Sequence, residues 1–187
     1  MKTALLIVDI QNDYFPRGKM ELEGSTEASL RAKELLELFR AEKLPVVFIQ
    51  HISVQKGATF YLPDTEGALI HVNVRPLPGE IVIRKNYPNS FRETGLLDYL
   101  KKERIGRLLI CGMMTSMCID ATVRAAFDYS FQCVVIHDAC ATMSLRFKDT
   151  SVPAAQVHAS FLAALGSVYA RVMSTSEVIE KKIYKSS

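Results

Sequence analysis

Several things are scarce in these 187 residues, and each scarcity removes a class of function. No apolar run approaches the roughly 20 residues needed to cross a bilayer; the runs at 5–8, 46–49 and 108–111 all stop early. The chain opens on a basic residue and a short apolar stretch, but Asp9 ends that stretch sooner than a signal peptide's apolar core would allow. A soluble, cytoplasmic protein without membrane contact is expected. Charge imbalance is also missing: 23 Lys and Arg stand against 20 Asp and Glu, and the basic residues are scattered. A net charge of +3 is too weak a field to argue for nucleic acid as a partner. The turn after the first apolar run, Asp9-Ile10-Gln11-Asn12-Asp13, contains no glycine, against a dinucleotide-binding loop. Cysteines stand at 111, 118, 133 and 140, and no two have the Cys-x-x-Cys spacing of a redox pair. With no export signal, free thiols are expected. Disorder is excluded as well, since hydrophobic residues make up 49% and charged residues 23% of the chain, with mean hydropathy +0.11.

What is present is an alternation of short β-branched apolar runs with longer segments of helical period, the sequence form of repeated βαβ units. Strands are predicted at about 3–9, 45–51, 80–85, 107–113, 131–137 and 167–172, and helices at about 26–42, 94–104, 117–129, 152–164 and 176–183. The first helix carries Leu35, Leu38 and Phe39 on one stripe, with Ser25 or Thr26 as its cap and Pro45 beyond its end. Residues 52–79 are irregular and rich in Pro and Gly, a length typical of either a functional loop or an Ω-loop covering the sheet. No repeat, low-complexity tract or linker divides residues 1–187, so a single domain is expected.

Ligands of open parallel sheets bind beyond the carboxyl ends of the strands, so the strand ends are informative. They carry Asp9, Gln50-His51, Lys85, and Gly112-Met113-Met114-Thr115-Ser116-Met117-Cys118. Cys118 follows a strand, a glycine turn and two candidate caps, Thr115 and Ser116, which places it in the first turn of a helix. There the helix dipole and a nearby ammonium are expected to lower the thiol pKa from about 8.5 toward neutrality, and free backbone N–H groups can bind an oxyanion. The other three cysteines read as small buried hydrophobes. Asp9 ends a wholly apolar strand, where a carboxylate is either paired, functional, or a local cap. Lys85 taken alone reads as a solvated strand end.

Three blocks, in order, resemble the signatures of the isochorismatase-like cysteine hydrolase family: residues 6–15 around Asp9, residues 85–91 with Thr94 and Leu96, and residues 111–118. The similarity continues through residues 137–142, after the fifth predicted strand. The resemblance implies an α/β fold, a three-layer αβα sandwich on a Rossmann-like six-stranded parallel sheet. It further implies a catalytic triad of Asp9, Lys85 and Cys118, with the cysteine forming a thioester. The oxyanion would be held by the backbone N–H groups of Met114 and Cys118, and the Met113–Met114 peptide would be cis. Tyr14, Phe15, Tyr87, Phe91 and Met117 would line the substrate pocket, with Phe60, Tyr61 and Leu62 as further contributors. An aromatic wall suits a small, flat, uncharged molecule.

Two departures narrow the expectation. Nicotinamidase members carry an Asp-x-His pair after the second strand and a further histidine that together bind a metal. Here the corresponding stretch is Gln50-His51-Ile52-Ser53, with His71 alone in the excursion. No catalytic metal or other cofactor is expected. Isochorismatases proper generally lack the cysteine, so Cys118 argues for C–N hydrolysis of a small amide, carbamoyl or ureido substrate. The family resemblance also implies a homo-oligomer, a dimer or larger, for which residues 52–79 or 144–152 could supply contacts. The competing reading is a catalytically silent member that serves as a binding or scaffold protein.

Overall fold

The structure, a computed structural model, describes residues 1–185. The chain runs β1 (Lys2–Val8), α1 (Ser25–Ala41), β2 (Val46–His51), β3 (Ile81–Lys85), α2 (Leu96–Lys102), β4 (Ile105–Met113), α3 (Asp120–Asp128) and β5 (Gln132–Ala141). A short hairpin of β6 (Leu145–Phe147) and β7 (Thr150–Val152) follows, then α4 (Ala154–Val168), β8 (Arg171–Met173) and α5 (Thr175–Glu180). Six strands form one parallel sheet in the order β3-β2-β1-β4-β5-β8. β1 and β4 lie at its centre and are almost wholly apolar, as strands covered on both faces must be.

Alternate side chains of these strands feed two cores. On one face Leu5, Ile7 and Phe48 meet the α1 stripe of Ala28, Ala32, Leu35, Leu36 and Phe39, with Val178 of α5 beside it. On the other, Leu6, Val8 and Ile110 meet Leu96 and Leu100 of α2, Val123 and Ala126 of α3, and Leu162 and Leu165 of α4. This is the expected three-layer αβα sandwich. All four cysteines are buried and free, and burial pushes the Cys133 and Cys140 thiols up to about 12.

Several boundaries differ from the sequence reading for identifiable reasons. The cap of α1 is Gly24, in the left-handed region at φ 73°, so neither Ser25 nor Thr26 takes that place. The sixth sheet strand is shorter and later than expected, because the apolar run through Val168 completes α4 instead. Such a run reads equally well in either period. The β6–β7 hairpin passed unnoticed because it is short and exposed. Residues 138–141, which the sequence places beyond the fifth strand, belong to β5, whose register against β4 jumps from the Ile110–Val135 pair to the Gly112–Cys140 pair.

Gly112 decides how closely the two central strands meet. Its φ is 128°, and a Cβ there would collide with the carbonyl oxygen of Val8, backbone that cannot step aside. That carbonyl immediately precedes Asp9, so the glycine sets the approach of β4 to the first candidate site residue. Gly112→Ala is therefore expected to cost about 3 kcal/mol or more, read as a lowered Tm in thermal unfolding. An unchanged Tm would refute the close approach.

Candidate active site

Asp9, Lys85 and Cys118 arrive from the carboxyl ends of β1 and β3 and from the turn after β4. Asp9 leaves its strand with φ 51°, in the left-handed region that Asp tolerates better than most residues. Its Oδ2 lies 2.7 Å from Lys85 Nζ, and both side chains are fully buried. Lys85 is anchored further by hydrogen bonds to the carbonyls of Tyr87 (3.0 Å) and Pro88 (3.2 Å) and lies 3.2 Å from His51 Nδ1. Burial is the largest influence and works against its charge, but Asp9 and Cys118 together outweigh it, so its pKa is raised and it is an ammonium. Apart from that ion pair, no donor among the described residues is aligned on either Asp9 oxygen. The ammonium is thus fully engaged, while the carboxylate keeps accepting capacity free.

Cys118 sits in a π-type turn, Thr115–Ile119, that runs directly into α3. The cap of this turn is Met114, with no side-chain cap bond. Thr115 and Ser116, expected as caps, bond sideways instead: Thr115 Oγ1 to the Ala141 carbonyl and His158 Nδ1, and Ser116 Oγ to Thr142 Oγ1. These bonds fasten the turn to β5 and α4. The Met113–Met114 peptide is cis, and the Met114 N–H donates no hydrogen bond among the described residues.

The thiol itself departs from expectation. Cys118 is 5% exposed, and its pKa is raised, not lowered. Burial is the largest cause, the Asp9 carboxylate adds to it, and Lys85 offsets only part. The resting site therefore holds a neutral thiol beside the buried Asp9–Lys85 pair.

Around these groups stands an aromatic wall. Tyr14 and Tyr61 rings lie 4.9 Å apart, Phe60 packs on both, and His51 lies 5.7 Å from Tyr61. Burial raises both phenol pKa values, and the nearby Asp9 carboxylate pushes the same way, so both phenols are neutral. Of the other residues predicted to line the pocket, Met117 is exposed beside the cysteine. Tyr87 is half-buried under the Arg92 guanidinium and offers Lys85 its carbonyl. Two are drawn elsewhere. The Phe15 ring stacks on His71 at 3.6 Å and lines a cleft that Cys118 does not, and Phe91 packs against Tyr129 and Phe131, beyond the carboxyl end of α3. Leu62 is exposed.

An isochorismatase domain model matches residues 3–175. The chain belongs to the isochorismatase family of hydrolases. It is 49% identical over 180 residues to the isochorismatase family protein YddQ of Bacillus subtilis, covering 96% of this chain and 100% of that one. It is also 33% identical over 142 residues to a streptothricin hydrolase of Streptomyces noursei, spanning 76% of this chain and half of that protein. A crystal structure of an isochorismatase-type hydrolase from Oleispira antarctica superposes with a TM-score of 0.92 at 47% identity, covering 96% of each chain.

Two residues of this isochorismatase-family site escaped the sequence reading. The sequence marks His51 only as a polar strand end in a stretch without the metal-binding Asp-x-His pair, yet its register opposite Lys85 brings its ring to the ammonium. Burial keeps its pKa low, and a neutral ring accepts from Lys85 at Nδ1. Asp13 was read as a turn former; it is buried and its carboxylate accepts from the amides of Tyr61 (2.6 Å) and Lys19 (3.2 Å). Gly67 lies so close over this carboxylate that no side chain would fit. Asp13 thereby pins the excursion, and Tyr61, fully buried, reaches back to donate to the Asp9 carbonyl at 3.1 Å.

Hydrogen bonds to a charged acceptor contribute more than neutral ones. Asp13→Asn is accordingly expected to destabilise by about 2 kcal/mol and Tyr61→Phe by about 1 kcal/mol, both measured by urea unfolding. The reverse ranking would show that the excursion is held by something other than Asp13.

Proposed function

We propose that this chain is a cysteine hydrolase that cleaves the C–N bond of a small amide, carbamoyl or ureido substrate through an Asp9-Lys85-Cys118 triad. The observation that carries the reading is the fully buried Asp9–Lys85 pair at the Cys118 thiol, with the carboxylate left free to accept. Burying such a pair costs several kcal/mol of desolvation per ion, and a fold with no use for it gains by replacing it with apolar residues.

The chemistry follows from the protonation states. Asp9 takes the thiol proton as sulfur attacks the carbonyl carbon, so thiolate forms only when a substrate is there to receive it. Lys85 holds the Asp9 carboxylate in place and stabilises negative charge on sulfur. The oxyanion is received by the N–H groups of Met114 and Cys118. Asp9 returns the proton to the departing nitrogen as the C–N bond breaks, leaving a thioester. The same carboxylate then activates water, which releases the acid and restores the thiol. Tyr14 and Tyr61, with Phe60, form a flat aromatic wall suited to an uncharged substrate; Met117 and Tyr87 border the same space. The proposal extends to a homo-oligomer acting in the cytoplasm, for which Phe147, 73% exposed on the β6–β7 hairpin, supports self-association.

The protonation argument has a distinctive consequence. Cys118→Ala and Asp9→Asn are each expected to reduce amide hydrolysis by about 10³-fold or more. Asp9→Asn also removes a charge that raises the thiol pKa. The pH profile of Cys118 alkylation, followed by mass spectrometry, should therefore move to lower pH in this variant even as turnover is lost. A wild-type profile already lying well below about 8.5, or one moved upward by Asp9→Asn, would sink the assignment.

Asp9, His51 and Cys118 do bring donor atoms within 4.8 Å of one another, a spacing that suits a cation. Lys85 already places a fixed positive charge against two of the three. Metal-free catalysis is accordingly proposed: prolonged chelation should leave hydrolysis unchanged, and a loss restored by added zinc would overturn this reading.

A further inference from the structure

A cleft of about 1240 Å³ opens on the face of the sheet opposite Lys85 and His51. Side chains alternate along a strand, so β2 and β3 end with Gln50 and Arg84 turned to this side and His51 and Lys85 turned to the other. Four cations line the cleft, from three separate parts of the chain: Arg17 and Lys19 after β1, Arg75 at the end of the excursion, and Arg84 on β3. None of the four takes part in an ion pair among the described residues. Unpaired cations are common over a protein surface, where water solvates them singly. Here they converge on one concavity, where low-dielectric walls focus the field.

The cleft contains two carboxylates against the four cations, Asp13 and Glu66. Asp13 is buried and spent on the amides of Lys19 and Tyr61, so the balance facing solvent is positive. Arg84 is held from beneath. Its Nε donates to Gln50 Oε1 at 3.2 Å, and Gln50, itself buried, donates from Nε2 to the Ala68 carbonyl at 2.9 Å. The outer nitrogens of the guanidinium make no hydrogen bond among the described residues. A guanidinium so fixed loses little freedom on pairing with a planar or tetrahedral oxyanion. Beside the cations, Leu69, Val72 and Val82 expose apolar surface into the same space.

We propose that this cleft is a second binding site, separate from the Cys118 centre, for a small organic anion that carries carboxylate or phosphate groups on an apolar body. Arg84 and Arg75 receive the charged groups, Arg17 and Lys19 add to the field, and the apolar body lies on Leu69, Val72 and Val82.

Calorimetric titration of the whole chain with phenyl phosphate, phthalate and inorganic phosphate tests this. The expected result is saturable one-to-one binding of phenyl phosphate or phthalate, tighter than inorganic phosphate. The stronger of the two organic anions identifies the headgroup. Arg84→Gln and Arg75→Gln should each weaken it at least tenfold, and Cys118→Ala should leave it intact. Thermal melts of both arginine variants establish that they are folded, and Arg75, on an exposed segment, guards against a folding defect at β3. The proposal is overturned if none of the three anions binds saturably, if both arginine variants bind like the wild type, or if Cys118→Ala abolishes binding. It is equally overturned if the arginine variants change the molecular mass by light scattering, which would make the cleft a seam between copies of the chain.

Discussion

A carboxylate and an ammonium, both without solvent contact, meet at the carboxyl end of the sheet, and much of the local structure serves to keep them there. Asp9 and Lys85 lie on strands that are not neighbours; β2 runs between them, and the pair closes over its end. Such a pair tolerates no misplacement, because an unpaired charge in that environment would cost far more than the pair gains. The surroundings are unequal in an instructive way. Lys85 is satisfied by two carbonyls and an imidazole nitrogen as well as by the carboxylate. Asp9 has the ammonium and free accepting capacity. The fold commits its fixed hydrogen bonds to the ammonium and leaves accepting capacity on the carboxylate, the proton carrier of the proposed mechanism.

The same strand ends divide the molecule's polar chemistry between two faces. Gln50 and His51 are adjacent in the chain, as are Arg84 and Lys85, yet each pair is split by the pleat. The excursion between β2 and β3 serves both sides. Its first half sends Tyr61 against Asp9, while its second half, around Gly67 to Arg75, walls the cationic cleft. Asp13 stands between them, holding Tyr61 by one oxygen and the Lys19 amide by the other. A segment without regular strands or long helices is therefore fixed by a few hydrogen bonds to the loop that follows β1.

The layers and the parallel sheet were legible because they depend on local pattern, apolar runs of strand length and helical stripes; the grouping of Asp9, Lys85 and Cys118 came from the family resemblance, since Lys85 on local pattern alone reads as a strand end. What was not legible depends on partners distant in sequence. Phe15 stands next to Tyr14 and reads alike, but a histidine some fifty residues later draws it to the opposite face. Phe91 follows a recognisable motif, but its ring is claimed by Tyr129 and Phe131. Thr115 and Ser116 have the composition of helix caps, and only the nearness of β5 and α4 diverts their hydroxyls. Asp13 is the converse case, an ordinary turn residue in the sequence and a buried anchor in the fold.

The thiol shows most clearly where local reasoning stops. A cysteine in the first turn of a helix and near a lysine suggests a standing thiolate, and both features are present. The decisive terms are burial and the carboxylate on the same side of the sulfur, and these are properties of the assembled site. They also bear on selectivity. A standing thiolate reacts with any electrophile that reaches it, whereas a neutral thiol gains reactivity only when an oriented carbonyl and a proton acceptor are in place together. In the proposed mechanism burial therefore suppresses indiscriminate chemistry, and Asp9 restores reactivity on demand. On that mechanism the substrate selected is the one whose geometry makes the proton transfer and the attack a single event.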